Sequence, residues 1–419
     1  GRKLIVVYQP HLYSRTLEQL ENFAPAFSAS DHIVVTDIYP AREEQITGVS
    51  SALIVERLEA AGITCDYVPS RHLLPRFVEG TAKSGDLVVG MGAGNIEFFA
   101  RDFIDELGRR DSLRVCVMLG GESAEREVSL TSGRMAADAL RARGYAVSLV
   151  DPAEELLNKA SVESMVGADR PDIVFIALHG TGAEDGKVQG LLELLHIPYT
   201  GSGIEASALA MNKRATKRAL ADAGLPVADG VTVKLRDAIP DFPMPCVVKP
   251  NAQGSTIGLS FVRSPNELPK AVSRALKYDS IAMIEELIEG VEISVPILGE
   301  KALPVVEICP KSGTYDFAAK YTEGATDEII PARISPAAAA LAQSYAIAAH
   351  LLVGAADFSR TDMIVSKDRI VILEINTVPG LTKTSLVPNS ALAAGISYED
   401  LCERILLSAM ERYGIKKAR

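Results

Sequence analysis

Four polar residues near the end of the chain have the types and spacing that would hold a metal ion beside phosphate groups. They are Arg360, Asp362, Glu374 and Asn376, two on each of two β-branched runs that predict a hairpin. Side chains two residues apart on a strand share a face. A three-residue turn at 367–369 would then place Asp362 opposite Glu374 and Arg360 opposite Asn376. Carboxylate and amide oxygens suit Mg²⁺, which proteins usually bind together with substrate phosphates. The alternative is a solvated hairpin face with salt bridges, because a single bulge would change the register.

A second group of residues suits a nucleotide. In VVKPNAQGSTIGLSFV (247–262) a strand ends in Lys249, and a loop containing Gly254 leads into the next strand. Glycines let backbone N–H groups approach phosphate oxygens, and lysine supplies a point charge. Lys213 offers a second cation, and Glu285 ends a strand where a carboxylate can meet a sugar or base. The alternative interpretation is a plain flexible hairpin.

A third segment, RVCVMLGGESAERE (114–127), has a Gly-Gly pair between a predicted strand and a predicted helix. Such turns usually bind phosphate. Here the loop carries Glu125 and Glu127, whose charges would repel a nucleotide. The segment therefore favours a ligand with a positive charge, such as an amino group.

The elements that must position these residues fall into two blocks. Residues 1 to about 108 alternate β-branched runs with stretches of helical periodicity, which predicts a small βαβ unit with a parallel sheet. The segment LGRRDS (107–112) reads as a charged hinge before a new strand at Arg114. From about 113 to 415, a second βαβ unit precedes turn-rich strands, an Ala-rich helix over 336–353 and the hairpin.

Composition excludes several classes of protein. The 419 residues are 47% hydrophobic and 23% charged, as in ordinary globular chains, and the formal net charge of −11 argues against nucleic acid or an anionic membrane as the main partner. The five cysteines form no C-x-x-C pair, which favours buried thiols in a reducing compartment. No apolar run approaches the ~18 residues of a membrane span. The start at Gly1, directly before a strand, suggests a piece of a longer polypeptide.

Two tempting nucleotide motifs are incomplete. GTGAEDGKV (180–188) departs from a P-loop at two positions. Thr181 stands where the motif has its first Gly, and Val188 stands where it has Ser or Thr. GSGIEA (201–206) lacks the acidic residue expected about 20 residues further along a dinucleotide-binding unit. A nicotinamide-dependent oxidoreductase is therefore disfavoured.

Taken together, the motifs of the second block resemble the D-alanine–D-alanine ligases of the ATP-grasp superfamily. The resemblance covers about 113–415 and rests on GGESAEREVSL, FIALHGTGAEDGKVQGLLELLHIPYTGSG, SALAMNK, VVKPNAQGSTIG, AAKYTEG, SRTDMIV and LEINTVPGLTKTSLVP, in that order. It implies an α/β fold in which a small Rossmann-like βαβ domain precedes a three-subdomain ATP-grasp ligase. The implied ligase subdomains are an N-terminal one over 113–205, a central one over 206–283, and a C-terminal one over 284–415 with the metal and substrate site.

The same resemblance implies that ATP phosphorylates one D-alanine to an acyl phosphate, which the amine of a second D-alanine attacks. The residues that would hold ATP are Lys213, Lys249, Gly254, Glu285, Glu292 and Lys320. Those that would hold two Mg²⁺, with Mn²⁺ as an acceptable substitute, are Asp362, Glu374 and Asn376. His179 would border the first alanine, and Ser385 and Leu386 would bind the carboxylate of the second. The implied catalytic residues are Glu125 on the first ammonium, Ser255 and Tyr321 closing a loop over the site, and Arg360 facing the oxyanion.

The first block, 1–108, resembles the C-terminal domain of UDP-N-acetylmuramate–L-alanine ligases. The resemblance rests on VVYQPHLYSRT, where His11 and Arg15 would help orient substrate, and on GDLVVGMGAGNI. Leu12 stands where that family usually places Arg. The P-loop and UDP-sugar domains of the family are absent from these residues. We therefore expect no L-alanine-adding activity from the fragment.

The resulting hypothesis is the C-terminal part of a fusion of two cytoplasmic peptidoglycan-precursor ligases that works as a D-alanine–D-alanine ligase. Its expected partners are ATP and D-alanine, without nucleic acid or membrane, and a homodimer is compatible with the sequence. The alternatives are a ligase that joins D-alanine to D-lactate or another D-amino acid, and a non-catalytic scaffolding module. Tyr321 disfavours the lactate alternative by resemblance, and intact candidate metal ligands disfavour the scaffold.

Overall fold

The structure is a computed structural model that describes residues 2–44, 46, 48–69, 71, 74–83, 85–155, 170–254, 256–311 and 325–415. The chain divides into two compact units, Gly1–Ser112 with Lys417–Arg419, and Leu113–Lys416. Each unit has its own hydrophobic core.

Strands and helices alternate in the first unit and in the first part of the second. The strands are Leu4–Gln9 (β1), His32–Val35 (β2), Cys65–Tyr67 (β3), Leu87–Gly92 (β4), Arg114–Met118 (β5), Ala146–Val150 (β6), Ile173–Ile176 (β7), Gly230–Lys234 (β8), Cys246–Pro250 (β9), Ser260–Val262 (β10), Ile281–Glu286 (β11), Val291–Leu298 (β12), Lys301–Ala302 (β13), Val306–Pro310 (β14), Thr326–Ile329 (β15), Phe358–Val365 (β16) and Ile370–Asn376 (β17). The α-helices are Tyr13–Glu18 (α1), Phe23–Ala26 (α2), Ala52–Ala60 (α3), Leu74–Thr81 (α4), Phe99–Ser112 (α5), Arg126–Ala142 (α6), Pro152–Glu155 (α7), Lys187–Leu194 (α8), Ile204–Met211 (α9), Lys213–Asp222 (α10), Leu268–Ala275 (α11), Pro336–Val353 (α12), Leu386–Ala393 (α13) and Tyr398–Arg412 (α14). Short 3₁₀ turns occur at Leu20–Asn22, Asn95–Phe98 and Pro265–Glu267.

The first unit is a parallel sheet with the strand order β3-β2-β1-β4. Its β-branched strand residues, such as Ile5, Val7 and Val34, are fully buried, as expected for a parallel sheet covered by helices on both faces. The prediction of a hinge at 107–112 was wrong, because helix α5 continues through Ser112. Charge suggested a hinge there, but the propensities of Arg, Asp and Leu do not prevent a helix.

The second unit begins with another parallel sheet, in the order β6-β5-β7. Strands β5 and β7 are neighbours, so the loops that follow them lie side by side at the same edge. Helix α6 packs on this sheet through small residues, including Ser132, Gly133 and Ala136, which are buried. This arrangement brings the loop of Glu125 next to the loop of His179.

Two antiparallel sheets complete the second unit. One has the order β10-β9-β11-β8, and the other has the order β15-β14-β12-β16-β17 with β13 paired to β12. Helix α11 covers the first through Leu268 and Val272, and helix α12 covers the second through Ala342, Ala346 and Ala349. The two sheets carry the Gly-rich loop and the polar hairpin, respectively.

Helix α12 has the bounds predicted for the Ala-rich helix. Its 18 residues have a mean hydropathy of 1.3, long and apolar enough to span a membrane by length and composition. The expectation that no run approaches this length was therefore wrong. One face of the helix, with Ala342, Ala346 and Ala349, is fully buried in the core of the sheet. A soluble core helix meets the same length and composition criterion, so the criterion alone assigns no membrane role.

Candidate active site

Two cavities open side by side in the second unit. The first, about 600 Å³, is lined by residues from the loops after β5 and β7 and from the region around Ser385. The second, about 660 Å³, lies between the two antiparallel sheets. Lys213, Gly254 and Glu374 line both cavities. A group bound in one cavity therefore meets a group bound in the other at these three residues.

The hairpin β16–β17 pairs its polar residues as predicted, but its turn and its register near the turn differ from the prediction. Arg360 pairs with Asn376 and Asp362 pairs with Glu374. Near the turn, however, Val365 pairs with Ile370, so the loop has four residues, and the register then shifts between Asp362 and Met363. The longer turn and the bulge displace the register in opposite directions, and the predicted pairs are restored.

The unpaired residue of this bulge is Leu373, because Met363 pairs with Ile372 and Asp362 with Glu374. Residues two apart on a regular strand share a face. The extra residue instead lets Ile372 lie in the core while Glu374 lines the cavities. Leu373 itself lines the second cavity.

Arg360 and Asp362 form a two-point ion pair on one face of β16. The Nε of Arg360 lies 2.9 Å from Oδ1 of Asp362, and its Nη2 lies 2.7 Å from Oδ2. Ser294, opposite Asp362 on β12, donates its hydroxyl to the same Oδ1 at 2.7 Å. Both partners are largely buried, which strengthens the pair relative to one in water. This network fixes the orientation of the Asp362 carboxylate.

Lys213 connects the hairpin to the Gly-rich loop. It begins helix α10 and is 8% exposed. Its Nζ lies 3.0 Å from Oε2 of Glu374 and donates to the carbonyl of Gln253 at 2.8 Å. The ammonium therefore sits at the junction of the two cavities, where it can contact phosphate oxygens.

The Gly-rich loop contributes Gly254 and Thr256 to the lining of the second cavity. Gly258 has φ +77°, and a Cβ there would lie 2.8 Å from both Pro250 and Tyr278. Only glycine combines this conformation with so close an approach. The loop is thus held near the end of β9, where Lys249 is located.

Lys249 and Glu285 are paired across neighbouring strands β9 and β11, with Nζ 2.8 Å from Oε2. Lys217 contacts the other oxygen of Glu285. Burial lowers the pKa of Lys217 to about 8, partly offset by the charge of Glu285. Sequence reasoning missed Lys217, although it stands four residues after Lys213 and so on the same helical face. Lys249, Glu285 and Glu292 all line the second cavity.

Glu125 lies at the N-terminal end of helix α6 and lines the first cavity. Its backbone N–H donates to Ser123 Oγ at 3.1 Å, and Ser123 donates to the carbonyl of His179 at 2.6 Å. These bonds join the loops after β5 and β7. Gly180, with φ +75°, passes so close that a Cβ would lie 2.9 Å from Oε2 of Glu125. The carboxylate is therefore confined between a helix end and a glycine.

His179 is buried in the wall of the first cavity at 4% exposure. Its Nδ1 lies 3.0 Å from the carbonyl of Val378, so Nδ1 carries the proton, and Nε2 accepts from Ser132 Oγ at 3.1 Å. Burial lowers the pKa of His179. The ring is thus neutral, and its two hydrogen bonds link helix α6 to the segment that follows the hairpin.

Glu184 is a further carboxylate of the first cavity that sequence reasoning missed. Its Oε1 accepts from the N–H of Gly180 at 3.1 Å. Burial raises the pKa of Glu184 to about 8, and the nearby charge of Glu125 adds to the increase. The signal was present in HGTGAEDG, where an acid follows a Gly-rich turn after a strand. Glu125 and Glu184 together form the acidic end of the cavity.

The start of helix α13 forms another part of the lining of the first cavity. Ser385 is the residue before the helix, and Leu386 is its first residue. Ser385 is held by its hydroxyl, 2.7 Å from Thr382 Oγ1, and by its N–H, which donates to the carbonyl of Thr382 at 2.8 Å. Exposed backbone N–H groups at a helix start favour a carboxylate.

Three predicted residues, Ser255, Lys320 and Tyr321, lie outside the described residues. The remaining residues predicted for the ligase site are all brought to the two cavities or their junction, whereas His11 and Arg15 belong to the first unit. Within the described ranges, no three His, Cys, Asp or Glu side chains cluster as a metal site by themselves. The donor set of the hairpin instead combines two carboxylates with the Asn376 amide, whose oxygen also accepts from the N–H of Val378 at 3.0 Å.

One antiparallel sheet carries a Gly-rich loop, the other carries a hairpin with carboxylates, and a cavity lies between them. This arrangement defines an ATP-grasp enzyme. The family model for the D-ala D-ala ligase N-terminus matches residues 151–202, and the model for the C-terminus matches residues 221–407. The chain belongs to the D-alanine–D-alanine ligase family.

Individual relatives agree with this assignment. The D-alanine–D-alanine ligase of Syntrophobacter fumaroxidans is 45% identical over 312 residues, covering 72% of this chain and 99% of that protein. The ligase of Pelotomaculum thermopropionicum is 41% identical over 322 residues, covering 73% and 99%. The crystal structure of the ligase from Bacillus anthracis complexed with ATP matches with a TM-score of 0.63 at 29% identity, covering 72% of this chain and 99% of that one.

Proposed function

We propose that the chain joins two D-alanines to D-alanyl-D-alanine with ATP as the energy source, as its curated relatives are named for doing. The observation that carries this function is the pair of cavities that meet at Lys213, Gly254 and Glu374. One has the cations and glycines that suit a nucleotide, and the other has carboxylates that suit ammonium groups. Their junction is where a phosphoryl group can pass between them.

The first half of the reaction transfers the γ-phosphoryl group of ATP to a carboxylate oxygen of one D-alanine, leaving ADP. Glu125 binds the ammonium of this D-alanine at the start of helix α6, and His179 borders it. Lys213 and Lys249 hold the phosphates, with Glu285 and Lys217 fixing the position of Lys249. Glu292 faces the nucleotide in the second cavity. Ser255, Lys320 and Tyr321 retain the roles that the family resemblance implies.

In the second half, the amine of the other D-alanine attacks the carbonyl carbon of the acyl phosphate. A C–N bond forms, the C–O bond to the phosphoryl group breaks, phosphate leaves with the electron pair, and the nitrogen releases one proton, which the departing phosphate accepts. Ser385 and Leu386 hold the carboxylate of this second D-alanine. Arg360 donates to the oxyanion of the tetrahedral intermediate, and such a preorganised donor typically contributes about 10²–10³ in rate.

The hairpin residues fit Mg²⁺. Asp362 and Glu374 are paired on one face of two strands with Asn376 beside them, an all-oxygen donor set. In the structure, Arg360 pairs with Asp362 and Lys213 pairs with Glu374. The site thus combines carboxylates that attract a metal cation with side-chain cations that attract phosphates. When bound, Mg²⁺ would neutralise charge on the transferring phosphoryl group.

We further propose the boundaries 113–205, 206–283 and 284–415 for the three ligase subdomains. Residues 1–108 are proposed to be the C-terminal domain of a UDP-N-acetylmuramate–L-alanine ligase, fused to the D-alanine–D-alanine ligase that follows it. The proposal rests on the motifs around His11 and Arg15 and on the parallel sheet of the first unit. The whole chain would then act in the cytoplasm, in the synthesis of peptidoglycan precursors.

A coupled assay of phosphate release, with chromatography of the dipeptide, tests the function. We expect D-alanine with ATP and Mg²⁺ to give equal amounts of phosphate and D-alanyl-D-alanine, and L-alanine to give neither. Glu125→Gln should raise the KM for the first D-alanine by roughly tenfold or more, because a charge-assisted hydrogen bond is lost. Glu97→Gln, in the first unit, is the matched control. Absence of dipeptide from the unmodified chain would contradict the proposal.

A further inference from the structure

One carboxylate of the first cavity has no part in the reaction described above. Glu328 lies on β15, an edge strand of the second antiparallel sheet, and lines the cavity together with Arg360, Ser385 and Leu386. The neighbouring residue Asp327 is exposed and pairs with Lys311, Nζ to Oδ1 3.1 Å. Alternation along the strand therefore directs Glu328 to the cavity and Asp327 to solvent.

Glu328 is bound to helix α13. The start of this helix, at Ser385 and Leu386, is the site proposed for the carboxylate of the second D-alanine. The side-chain amide of Asn389 donates to Oε2 of Glu328 at 2.7 Å. Asn389 is one turn along helix α13 from Ser385, to whose carbonyl its own N–H donates at 3.0 Å. The supporting strand is also fixed, because Leu386 packs with Val306 and Ile308 of β14, the neighbour of β15. The Glu328 carboxylate is thus fixed to the first turn of the helix through Asn389.

Arg360 lines the first cavity together with Glu184 and Glu328. Burial raises the pKa of both carboxyl groups, and the positive charge of Arg360 opposes the increase. Two amino acids that react with each other at Arg360 need two separate positions for their ammonium groups. Glu125 and Glu184 supply one position, and Glu328, which accepts from Asn389 of helix α13, is the carboxylate available for the other.

We propose that Glu328 binds the amino group of the second D-alanine and selects an amino acid over a hydroxy acid as the nucleophile. This inference rests on the proposed ligase function. A zwitterion with its carboxylate at Ser385 and Leu386 carries its ammonium on the adjacent carbon, within the region that Glu328 faces. A hydroxy acid at the same position would leave the carboxylate without a cationic partner, which disfavours its binding.

The test is the Glu328→Gln variant, because glutamine keeps an oxygen that can accept from Asn389 and removes only the charge. The neighbouring Asp327→Asn is the matched control, since it removes a charge from the same strand outside the cavity. Each protein is given ATP and Mg²⁺ with D-alanine alone, and then with D-alanine and D-lactate together. The dipeptide and the depsipeptide are separated by chromatography.

We expect Glu328→Gln to raise the KM for the second D-alanine about tenfold while leaving the KM for ATP and for the first D-alanine within twofold. The ratio of depsipeptide to dipeptide should rise by a similar factor. Asp327→Asn should change neither. A variant in which kcat and every KM change together, or in which the product ratio is unchanged, would overturn the inference. If the unmodified chain forms no dipeptide, the proposed function itself fails, and the two failures are thereby distinguished.

Discussion

The guanidinium of Arg360 holds both carboxylate oxygens of Asp362, at 2.9 and 2.7 Å, although the two side chains line different cavities. Arg360 faces the first cavity, proposed for the amino acids, and Asp362 faces the second cavity, proposed for the nucleotide. The pair therefore links the group proposed to stabilise the oxyanion with a group proposed to hold the metal. Orientation of one side chain depends on the presence of the other.

Replacement of Arg360 tests the oxyanion role. Arg360→Ala should lower kcat roughly 10²–10³-fold, the scale expected for one preorganised donor, while ATP affinity changes much less. Arg360→Lys should recover little, because an ammonium cannot reproduce the two-point contact with Asp362. Steady-state kinetics and ATP titration measure the two effects. A collapse of ATP affinity with preserved kcat would instead assign Arg360 to the phosphates.

Replacement of the hairpin carboxylates tests the metal role. Asp362→Asn and Glu374→Gln should each lower activity roughly a hundredfold or more at ordinary Mg²⁺, because each removes charge that faces the phosphates. Circular dichroism should show an intact fold. Asp368→Asn, in the turn of the same hairpin, is the control and should keep full activity. Substantial turnover by both carboxylate variants would contradict the assignment.

The buried carboxyl group of Glu184 predicts a pH-dependent stability. Burial raises its pKa from 4.5 to about 8, so between these values the folded chain keeps a proton that the unfolded chain has lost. This contribution to stability therefore falls as pH rises through the window, and it is constant above pH 8. The Tm of Glu184→Gln relative to the unmodified protein should rise steadily from pH 5 to pH 8 in calorimetry.

Asp185→Asn is the control for the Glu184 measurement. Burial raises the pKa of Asp185, but hydrogen bonds from Lys187 and Gly182 outweigh it and hold the pKa below its ordinary value of 3.8. This carboxylate is thus ionised in both states above pH 5. A Tm difference for Glu184→Gln that does not vary with pH would mean that Glu184 is ionised in the folded chain.

The ligase reaction is assigned to the second unit, whose core clusters are built from residues after Ser112. A chain that starts near Asp111 should fold and ligate D-alanine with kcat within a few-fold of the full chain. Neither chain should hydrolyse ATP in response to UDP-N-acetylmuramate and L-alanine. A truncated chain that is soluble but inactive would show that the first unit supports the site. ATP turnover that depends on the UDP-sugar would contradict the expectation that these residues have no L-alanine-adding activity.

Much of the architecture follows from local sequence patterns. The β-branched runs predicted the parallel sheet of the first unit, and alanine content predicted helix α12 over Pro336–Val353. The hairpin pairs were also predicted correctly, because the error in turn length and the unforeseen bulge cancel. The prediction of a hinge at 107–112 was wrong because charge alone does not distinguish a loop from the end of a helix.

The missed site residues differ in how visible they were. Lys217 could have been found from its spacing to Lys213, and Glu184 from its place after a Gly-rich turn. Glu328 carries no such signal. Its importance arises from the pairing of β15 with β14 and from the contact with Asn389, 61 residues away in the chain. Contacts at this separation depend on tertiary structure that no local pattern reports.

The bulge at Leu373 separates two roles of strand β17, the pairing with β16 and the lining of the second cavity. The paired positions, Glu374 and Asn376, keep their places opposite Asp362 and Arg360 whichever residue occupies 373, because the ladder does not include it. The unpaired side chain projects into the nucleotide cavity. Residue 373 is therefore a position at which nucleotide preference can diverge among related chains while the geometry of the catalytic ladder is inherited unchanged.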